Sequence, residues 1–394
     1  MRMAINGAGV AGPALAYWLL RSGHEPVLIE RAPEFRTGGY MIDFWGVGYD
    51  IAERMGILPE VKRLGYSVGE VRLVGDQGER VGGFSASVFD RMTKGRFTSL
   101  PRGDLAATIF RTIEDKVETI FDDSIASIDE RDGAVNVSFE RGKPRDFDLV
   151  IGADGLHSTV RELVFGPEDR VEKALGYWVA AFQVAGYRPR NELVYVSYST
   201  PGRQIARFSQ RDDRTMFMFV FADALVSGGD PHDAERRKAV LRDIFGGSGW
   251  ESDRILDLMD GVDDIYFDRV SQIRMDSWSK GRVALIGDAA ACASLLAGEG
   301  TGLALAEAYV LAGELNRAGG DYREAFRRHE ERLRPFILGK QLSAEKFASS
   351  FAPNTALSLW LRNQATKLMR LPLVADLLIG RSLRDDLELP DYGM

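Results

Sequence analysis

Glycines near the amino terminus have the spacing of a phosphate-binding turn. The chain contains Gly7-Ala8-Gly9-Val10-Ala11-Gly12 directly after a short apolar stretch. In such a turn the first glycine permits a tight bend, the second lets the backbone approach a pyrophosphate, and the third lets a helix pack on the strand. The N–H groups and positive dipole end of that helix would face the phosphates. The sequence therefore predicts a dinucleotide site with contacts from Gly7, Gly9, Ala11 and Gly12.

The neighbouring sequence supplies the elements that would position this turn. Met3-Ala4-Ile5 predicts a buried strand, and Pro13 to Arg21 predicts a helix, because proline suits the first helical turn. Pro26 to Glu30 predicts a second strand that ends in a carboxylate. A carboxylate at this spacing can accept hydrogen bonds from a ribose, which favours FAD or NAD over a 2′-phosphorylated nucleotide. A short signal peptide is an alternative, but the glycines would weaken its helical region.

Two later segments could place acidic side chains at the same ligand. A predicted buried strand, Phe147 to Ala153, runs into Asp154, and Ser158 could cap the helix that follows. A further buried strand leads to Gly287, so that Asp288 could accept a hydrogen bond from a ribityl hydroxyl. Gly300 then begins a predicted helix whose N-terminus would stabilise negative charge on a reduced flavin. The three segments in this order indicate one FAD bound by distant parts of the chain.

Strands dominate the middle of the chain and predict a separate substrate-binding sheet. Thr215 to Phe221 is apolar on both faces, which indicates either a sandwiched core or a ligand wall. The candidate substrate contacts are Gln183, Arg207, Phe217 and Phe219. The predicted fold class is α/β, with a discontinuous Rossmann-like FAD-binding domain, an inserted mainly β substrate domain and C-terminal helices. The predicted boundaries are 1–75, 98–173 and 275–335 for the FAD-binding domain, 76–97 and 174–274 for the substrate domain, and 336–394 for the C-terminal bracing helices.

The net charge and the cysteine and histidine content of the chain limit the classes of partner and cofactor that we expect. A formal net charge of −8 argues against a general nucleic-acid binder. The single cysteine, Cys292, excludes an internal disulfide and a cysteine-based zinc site, and the four histidines lack ligand spacing, so no metal is predicted. No apolar stretch is long enough to predict a transmembrane helix. We expect a cytoplasmic monomer or homodimer that acts on a small molecule.

The combined motifs resemble a known enzyme family. The three segments, Glu30-Arg31, Gly38-Gly39 and Leu100 to Leu105 are similar to the single-component (class A) FAD-dependent aromatic monooxygenases of the para-hydroxybenzoate hydroxylase type. Within that family the small tetracycline-inactivating monooxygenases are the nearest match. The resemblance implies that NADPH or NADH transiently reduces FAD. It also implies that a C4a-hydroperoxyflavin formed with O₂ inserts one oxygen atom into an aromatic or polycyclic small molecule.

The resemblance also implies residue roles. Glu30 would bind the adenosine ribose, Arg31 would lie near the adenosine, Asp154 would support the pyrophosphate region, and Asp288 would contact the pyrophosphate–ribityl side. Further FAD contacts would come from Gly39, Arg102 and Leu303. The loop near the isoalloxazine would consist of Gly298, Gly300, Thr301 and Gly302. The resemblance names no catalytic side chain, because the chemistry belongs to the flavin.

Several positions depart from the family pattern. Ala291 replaces an aromatic residue or histidine, Leu295 replaces a proline, Glu299 replaces glutamine, and Gly302 stands where asparagine is frequent. An ionised Glu299 would oppose formation of a reduced flavin anion. The sequence therefore leaves open an FAD-dependent dehydrogenase or oxidase without oxygen transfer, and a flavin-containing protein that sequesters a ligand. Flavin-dependent halogenation is disfavoured because the Trp-x-Trp-x-Ile-Pro segment is absent.

Overall fold

The computed structural model describes residues 1–35, 39–131, 133–263, 265–369, 371–375, 385 and 387–394. Gly38 of the resemblance lies outside these residues. The strands are β1 (Arg2–Asn6), β2 (Glu25–Ile29), β3 (Met41–Trp45), β4 (Glu70–Val74), β5 (Arg80–Ser85), β6 (Phe97–Pro101), β7 (Glu118–Ile120), β8 (Ile125–Arg131), β9 (Ala134–Phe139), β10 (Arg145–Phe147), β11 (Leu149–Gly152), β12 (Glu172–Ala185), β13 (Val194–Thr200), β14 (Arg203–Ser209), β15 (Arg214–Ala222), β16 (Tyr266–Ile273), β17 (Ser279–Lys280) and β18 (Val283–Leu285). The helices are α1 (Ala11–Arg21), α2 (Gly46–Arg54), α3 (Leu58–Leu64), α4 (Ser87–Met92), α5 (Arg102–Phe110), α6 (Thr159–Phe165), α7 (Ala234–Phe245), α8 (Ser252–Met259), α9 (Asp288–Ala291), α10 (Gly300–Arg317), α11 (Tyr322–Phe351), α12 (Ala356–Leu368) and α13 (Pro372–Ala375), with 3₁₀ turns at Glu168–Arg170, Asp223–Leu225 and Leu295–Ala297.

A six-stranded sheet in the order β17-β18-β11-β1-β2-β7 forms the centre of the predicted FAD-binding part. Strands β18, β11, β1, β2 and β7 run parallel, and only β17 is antiparallel to its neighbour. The carboxyl ends of parallel strands meet at one edge, which is where ligands bind in open α/β sheets. The glycine turn, Glu30, Asp154 and Asp288 all follow these strand ends. The predicted α/β fold with a discontinuous nucleotide-binding part is confirmed.

A second sheet has seven strands in the order β16-β12-β15-β14-β13-β4-β5. All its pairs are antiparallel except β13 with β4. We define its helix face by Phe182, Phe217 and Phe219, which pack with side chains of α7 and α8. We define its cleft face by Met218 and Val220, which pack toward α11 and the 3₁₀ turn that precedes α10. The two faces of this sheet therefore pack against two different sets of elements.

The predicted domain boundaries stay predictions, but the strand pairing bears on them. Strand β4 lies within the predicted FAD-binding segment 1–75, yet it pairs with β13 and β5 in the seven-stranded sheet. A boundary before Glu70 would therefore follow the sheet more closely. Residues 376–384 of the predicted C-terminal segment lie outside the described residues.

Helix α11 is longer than the sequence predicts. The sequence predicts Tyr322 to Arg332, whereas α11 continues to Phe351 through Pro335. Proline removes one helical hydrogen bond. Leu333 and Ile337 are fully buried on either side of it, so tertiary packing holds the helix together there.

Neither a membrane-spanning helix nor a metal-ligand cluster is found among the described residues. None of the helices in the described part of the chain is long and apolar enough to cross a membrane. In that same part, no group of His, Cys, Asp and Glu side chains is arranged to hold a metal ion.

Candidate cofactor site and substrate cleft

The glycine turn between β1 and α1 has no room for a side chain at Gly7 or Gly12. Gly7 has φ +106°, and a Cβ there would lie 2.5 Å from the carbonyl oxygen of Ala153. A Cβ on Gly12 would overlap the Gly7 carbonyl oxygen and approach Leu28 to 3.3 Å. Helix α1 begins without a side-chain cap, so the turn leaves backbone N–H groups open for a ligand. The local geometry is that of the predicted phosphate cradle.

Glu30 and Arg31 lie next to this turn. The Glu30 carboxylate accepts hydrogen bonds from the backbone N–H groups of Ala8 and Ala32, both at 2.9 Å. It therefore fixes the glycine turn directly, as well as being placed for a ribose. Arg31 is exposed and donates to the Thr159 hydroxyl at 3.1 Å.

Arg102 connects the turn to residues 39 and 40. It is the first residue of α5, and its backbone N–H donates to the Tyr40 carbonyl at 3.0 Å. A Cβ on Gly9 would lie 3.5 Å from the Arg102 guanidinium, and one on Gly39 would lie 3.7 Å from the Arg102 Cβ. The guanidinium is thus adjacent to the predicted pyrophosphate position.

Asp154 accepts several hydrogen bonds that organise its own loop. Its carboxylate accepts hydrogen bonds from the Asn6 side chain at 2.9 Å, the Ser158 hydroxyl at 2.5 Å and the Val160 N–H at 3.1 Å. Ser158 caps α6 by accepting from the Arg161 N–H at 3.0 Å, as the sequence predicts. These bonds hold the Asp154 loop against the end of β1.

Arg161 joins the second segment to the third, a link that sequence reasoning missed. Its guanidinium is 1% exposed and donates to the Ala289 carbonyl at 3.1 Å and the Leu156 carbonyl at 2.6 Å. It also forms an ion pair with Glu168. The only sequence signal was an arginine three positions after the cap, which also suits an ordinary first helical turn.

Asp288 lies in the centre of the site. Burial raises the pKa of its carboxyl, and the nearby Arg102 guanidinium opposes that shift. A Cβ on Gly300 would lie 3.5 Å from its Oδ1. The preceding Gly287 has φ +64° and donates its N–H to the buried Glu307 carboxyl at 2.7 Å. Glu307, on α10, thus holds the turn formed by Gly287 and Asp288 in place.

The start of α10 packs tightly against the start of α2. A Cβ on Gly48 would lie 2.5 Å from the Gly302 Cα, so the two backbones are in contact. Gly298 has φ +70° and lies beside Trp45, and Leu303 is buried. The Thr301 hydroxyl is buried, and no described residue hydrogen-bonds to it.

These residues fit FAD. A turn that excludes a Cβ at Gly7 and Gly12 lies at the predicted pyrophosphate position, next to the Arg102 guanidinium. The unpartnered Thr301 hydroxyl and the uncapped α10 N-terminus lie at the predicted isoalloxazine position. Which residues contact the cofactor remains a prediction for the whole set named from the sequence.

The seven-stranded sheet divides the four candidate substrate residues. Gln183 lies in the cleft-face row of Met216 and donates to the Gly39 carbonyl at 3.1 Å. Phe217 and Phe219 are fully buried on the helix face. Arg207 pairs across the strands with Phe217 and forms a 2.8 Å ion pair with Glu251. These three residues therefore lie on the face that packs against α7 and α8, which fits the sandwiched-core alternative, and which residues contact a substrate stays a prediction.

The cleft face carries residues that the sequence did not single out. The Ser197 hydroxyl and the Gln204 side-chain nitrogen are buried there, and neither has a hydrogen-bond partner among the described residues. The Tyr40 and Tyr266 rings lie 5.3 Å apart where residues 39–41 meet the sheet. Burial raises the pKa of both hydroxyls, which keeps them protonated well above neutral pH. Strand alternation alone could not show which face was open.

Comparison with known proteins identifies the family of this chain. The family described as "FAD binding domain" matches residues 1–321. A flavin-dependent monooxygenase from an unknown prokaryotic organism is 36% identical over 351 residues, which cover 89% of this chain and 90% of that protein. The crystal structure of tetracycline destructase Tet(55) is similar with a TM-score of 0.85 and 34% identity, covering 99% of this chain and 98% of that one. Klebsiella pneumoniae HpxO complexed with FAD and uric acid shares the fold, with a TM-score of 0.77 and 22% identity, covering 96% and 97%.

The extent of these matches settles the family and the predicted enzyme class. The FAD-binding match spans most of the chain and includes all three glycine- and aspartate-containing segments. The chain belongs to the FAD-binding family of flavin-dependent monooxygenases.

Proposed function

We propose that the protein uses NADPH or NADH and O₂ to insert one oxygen atom into a small aromatic or polycyclic molecule. The observation that carries this proposal is the contact between the cofactor site and the cleft face. The Arg102 N–H donates to the Tyr40 carbonyl, the neighbouring Gly39 carbonyl accepts a hydrogen bond from Gln183, and the Met41 nitrogen lies 3.2 Å from the Met216 sulfur. A substrate on the cleft face would therefore lie next to the flavin.

The chain would bind, orient and shield the reactants. FAD, when bound, supplies the redox and oxygen chemistry. The glycine turn and Arg102 would hold its phosphates, and the α10 N-terminus would stabilise negative charge on the reduced ring. The apolar residues around Val179, Val220 and Leu296 would exclude water from the reaction.

The lining of the cleft supports the substrate class. Met218 and Val220 offer a flexible apolar surface, whereas Ser197 and Gln204 offer unsatisfied polar atoms in the same cross-strand rows. Such a lining suits a large, mostly apolar ligand with a few polar substituents. The similarity to tetracycline destructases favours a polycyclic substrate over a single-ring one.

One observation favours a second candidate. Glu299 is an acidic residue at the start of α10, and an ionised carboxylate there would oppose a reduced flavin anion. An FAD-dependent dehydrogenase or oxidase without oxygen transfer is therefore the alternative.

The test uses the purified protein with its bound flavin. NADPH and NADH oxidation, O₂ uptake and peroxide release are followed across a panel of polycyclic phenols and tetracyclines. The proposal expects ligand-stimulated oxidation and a product heavier by one oxygen atom. Substrate oxidation with stoichiometric peroxide and no added oxygen would identify the alternative. Ligand binding without faster NAD(P)H oxidation would indicate a sequestering protein.

A further inference from the structure

A buried ionic triad lies beside the start of α10. The Lys340 ammonium, on α11, is 2.9 Å from one Glu299 carboxylate oxygen and 3.0 Å from the other. It also lies 2.6 Å from the Asp385 carboxylate. All three side chains are nearly buried, with 9%, 12% and 13% exposure for Lys340, Glu299 and Asp385. In the family that the sequence resembles, glutamine is common at the position of Glu299.

The triad also contacts the start of α2 through Asp385. Asp385 accepts a hydrogen bond from the Val47 N–H at 2.6 Å, and its carboxylate fills the space where a Gly46 Cβ would stand. Glu299, Asp385 and Gly302 line a small cavity together with Trp45. Lys340 therefore connects the flavin-facing loop, the start of α2 and the C-terminal segment.

We infer that Lys340 is a positioning residue for the flavin: it holds Glu299 and Asp385 in place and neutralises the charge that Glu299 presents to the flavin ring. This inference rests on the proposed function, because it requires FAD to bind with its ring at the α10 N-terminus. A carboxylate paired with a buried ammonium no longer opposes the reduced flavin anion.

A negative charge near the ring favours oxidised flavin, and a positive charge favours the reduced anion. Burial raises the pKa of Glu299 to about 7, and Lys340 opposes that rise. Glu299 deprived of Lys340 would therefore take up a proton near neutral pH and hide the effect of the lost cation. The contribution of Lys340 is best measured where residue 299 cannot titrate.

The experiment measures the reduction potential of bound FAD at pH 8 in wild type, E299Q and E299Q/K340M. We expect E299Q to shift the reduction equilibrium about tenfold toward reduced flavin, which is about 30 mV for a two-electron couple. Removal of the cation in E299Q/K340M should return the potential to near the wild-type value. The control is K346M, which removes an exposed lysine from the same helix and should leave the potential unchanged.

A second readout covers variants that fold poorly. FAD affinity is measured by flavin fluorescence titration of the apoproteins, and E299Q/K340Q, which also lacks the cation, replaces E299Q/K340M if the latter is unstable. D385N removes the other negative charge and should also raise the potential. An unchanged potential in E299Q, or equal potentials in E299Q and E299Q/K340M, would overturn the inference while leaving the monooxygenase proposal intact. Wild-type protein that fails to bind FAD would instead overturn the proposed function.

Discussion

At the residue scale, Gly7 of the glycine turn combines a positive φ with a close backbone contact. Its φ of +106° is strained for any side chain, and a Cβ would lie 2.5 Å from the Ala153 carbonyl oxygen. We expect G7A to cost roughly 2–4 kcal/mol of stability and to lose FAD during gel filtration. The control is G23A, which has φ +73° but no atom within 4 Å of its Cβ position. That variant should lose about 1 kcal/mol and retain its flavin. Equal FAD retention in both would contradict a tight cradle at Gly7.

Glu299 should make stability depend on pH. Burial raises its pKa from 4.5 to about 7, so the folded protein keeps a proton that the unfolded chain releases. Its stabilising contribution is complete below pH 4.5 and is lost as the pH rises through about 7. Between pH 5 and pH 8 we expect wild type to lose about 2 kcal/mol relative to E299Q, which does not titrate. Urea unfolding at each pH measures the difference. The exposed E34Q variant should track wild type, and a pH-independent gap between wild type and E299Q would refute the shift.

Among the elements, the contact between α2 and α10 limits side-chain size asymmetrically. A Cβ on Gly48 would lie 2.5 Å from the Gly302 Cα, whereas one on Gly302 would lie 3.5 Å from the Gly48 nitrogen. Alanine gains about 1 kcal/mol of helix propensity over glycine at either position. Overpacking of about 1–3 kcal/mol should outweigh that gain in G48A alone. We expect a lower urea midpoint for G48A and an unchanged or higher one for G302A. Equal destabilisation of both would show that the helices do not pack as described.

The elements also show what the sequence can and cannot predict. The glycine turn, its strands and the α6 cap were predictable because each depends on residues within a few positions. Helix α11 was predicted too short, since Pro335 is a local stop signal that distant packing overrides. Lys340 and Asp385 had no sequence signal, because their partners lie 41 and 338 positions away in the chain, at Glu299 and Val47.

At the scale of the whole molecule, the two faces of the seven-stranded sheet pack against different parts of the chain. Both faces of β15 are apolar, so the sequence could not indicate which one meets the ligand. The structure resolves this with the helices: α7 and α8 cover the face of Phe219, and the cofactor site adjoins the face of Met218. Adjacent residues on β15 therefore have different surroundings.

This separation predicts opposite phenotypes for neighbouring substitutions. Phe219 is fully buried and packs 5.1 Å from the Phe245 ring centroid, so F219A should cost about 3–5 kcal/mol. Its KM for a stimulating ligand should stay near that of wild type when only folded protein is counted. Met218 is only partly buried on the cleft face, so M218A should cost less than about 2 kcal/mol but change that KM several-fold. Urea unfolding and ligand-stimulated NAD(P)H oxidation measure the two effects on the same preparations. An altered KM in F219A with an unaltered one in M218A would place the substrate on the opposite face of the sheet.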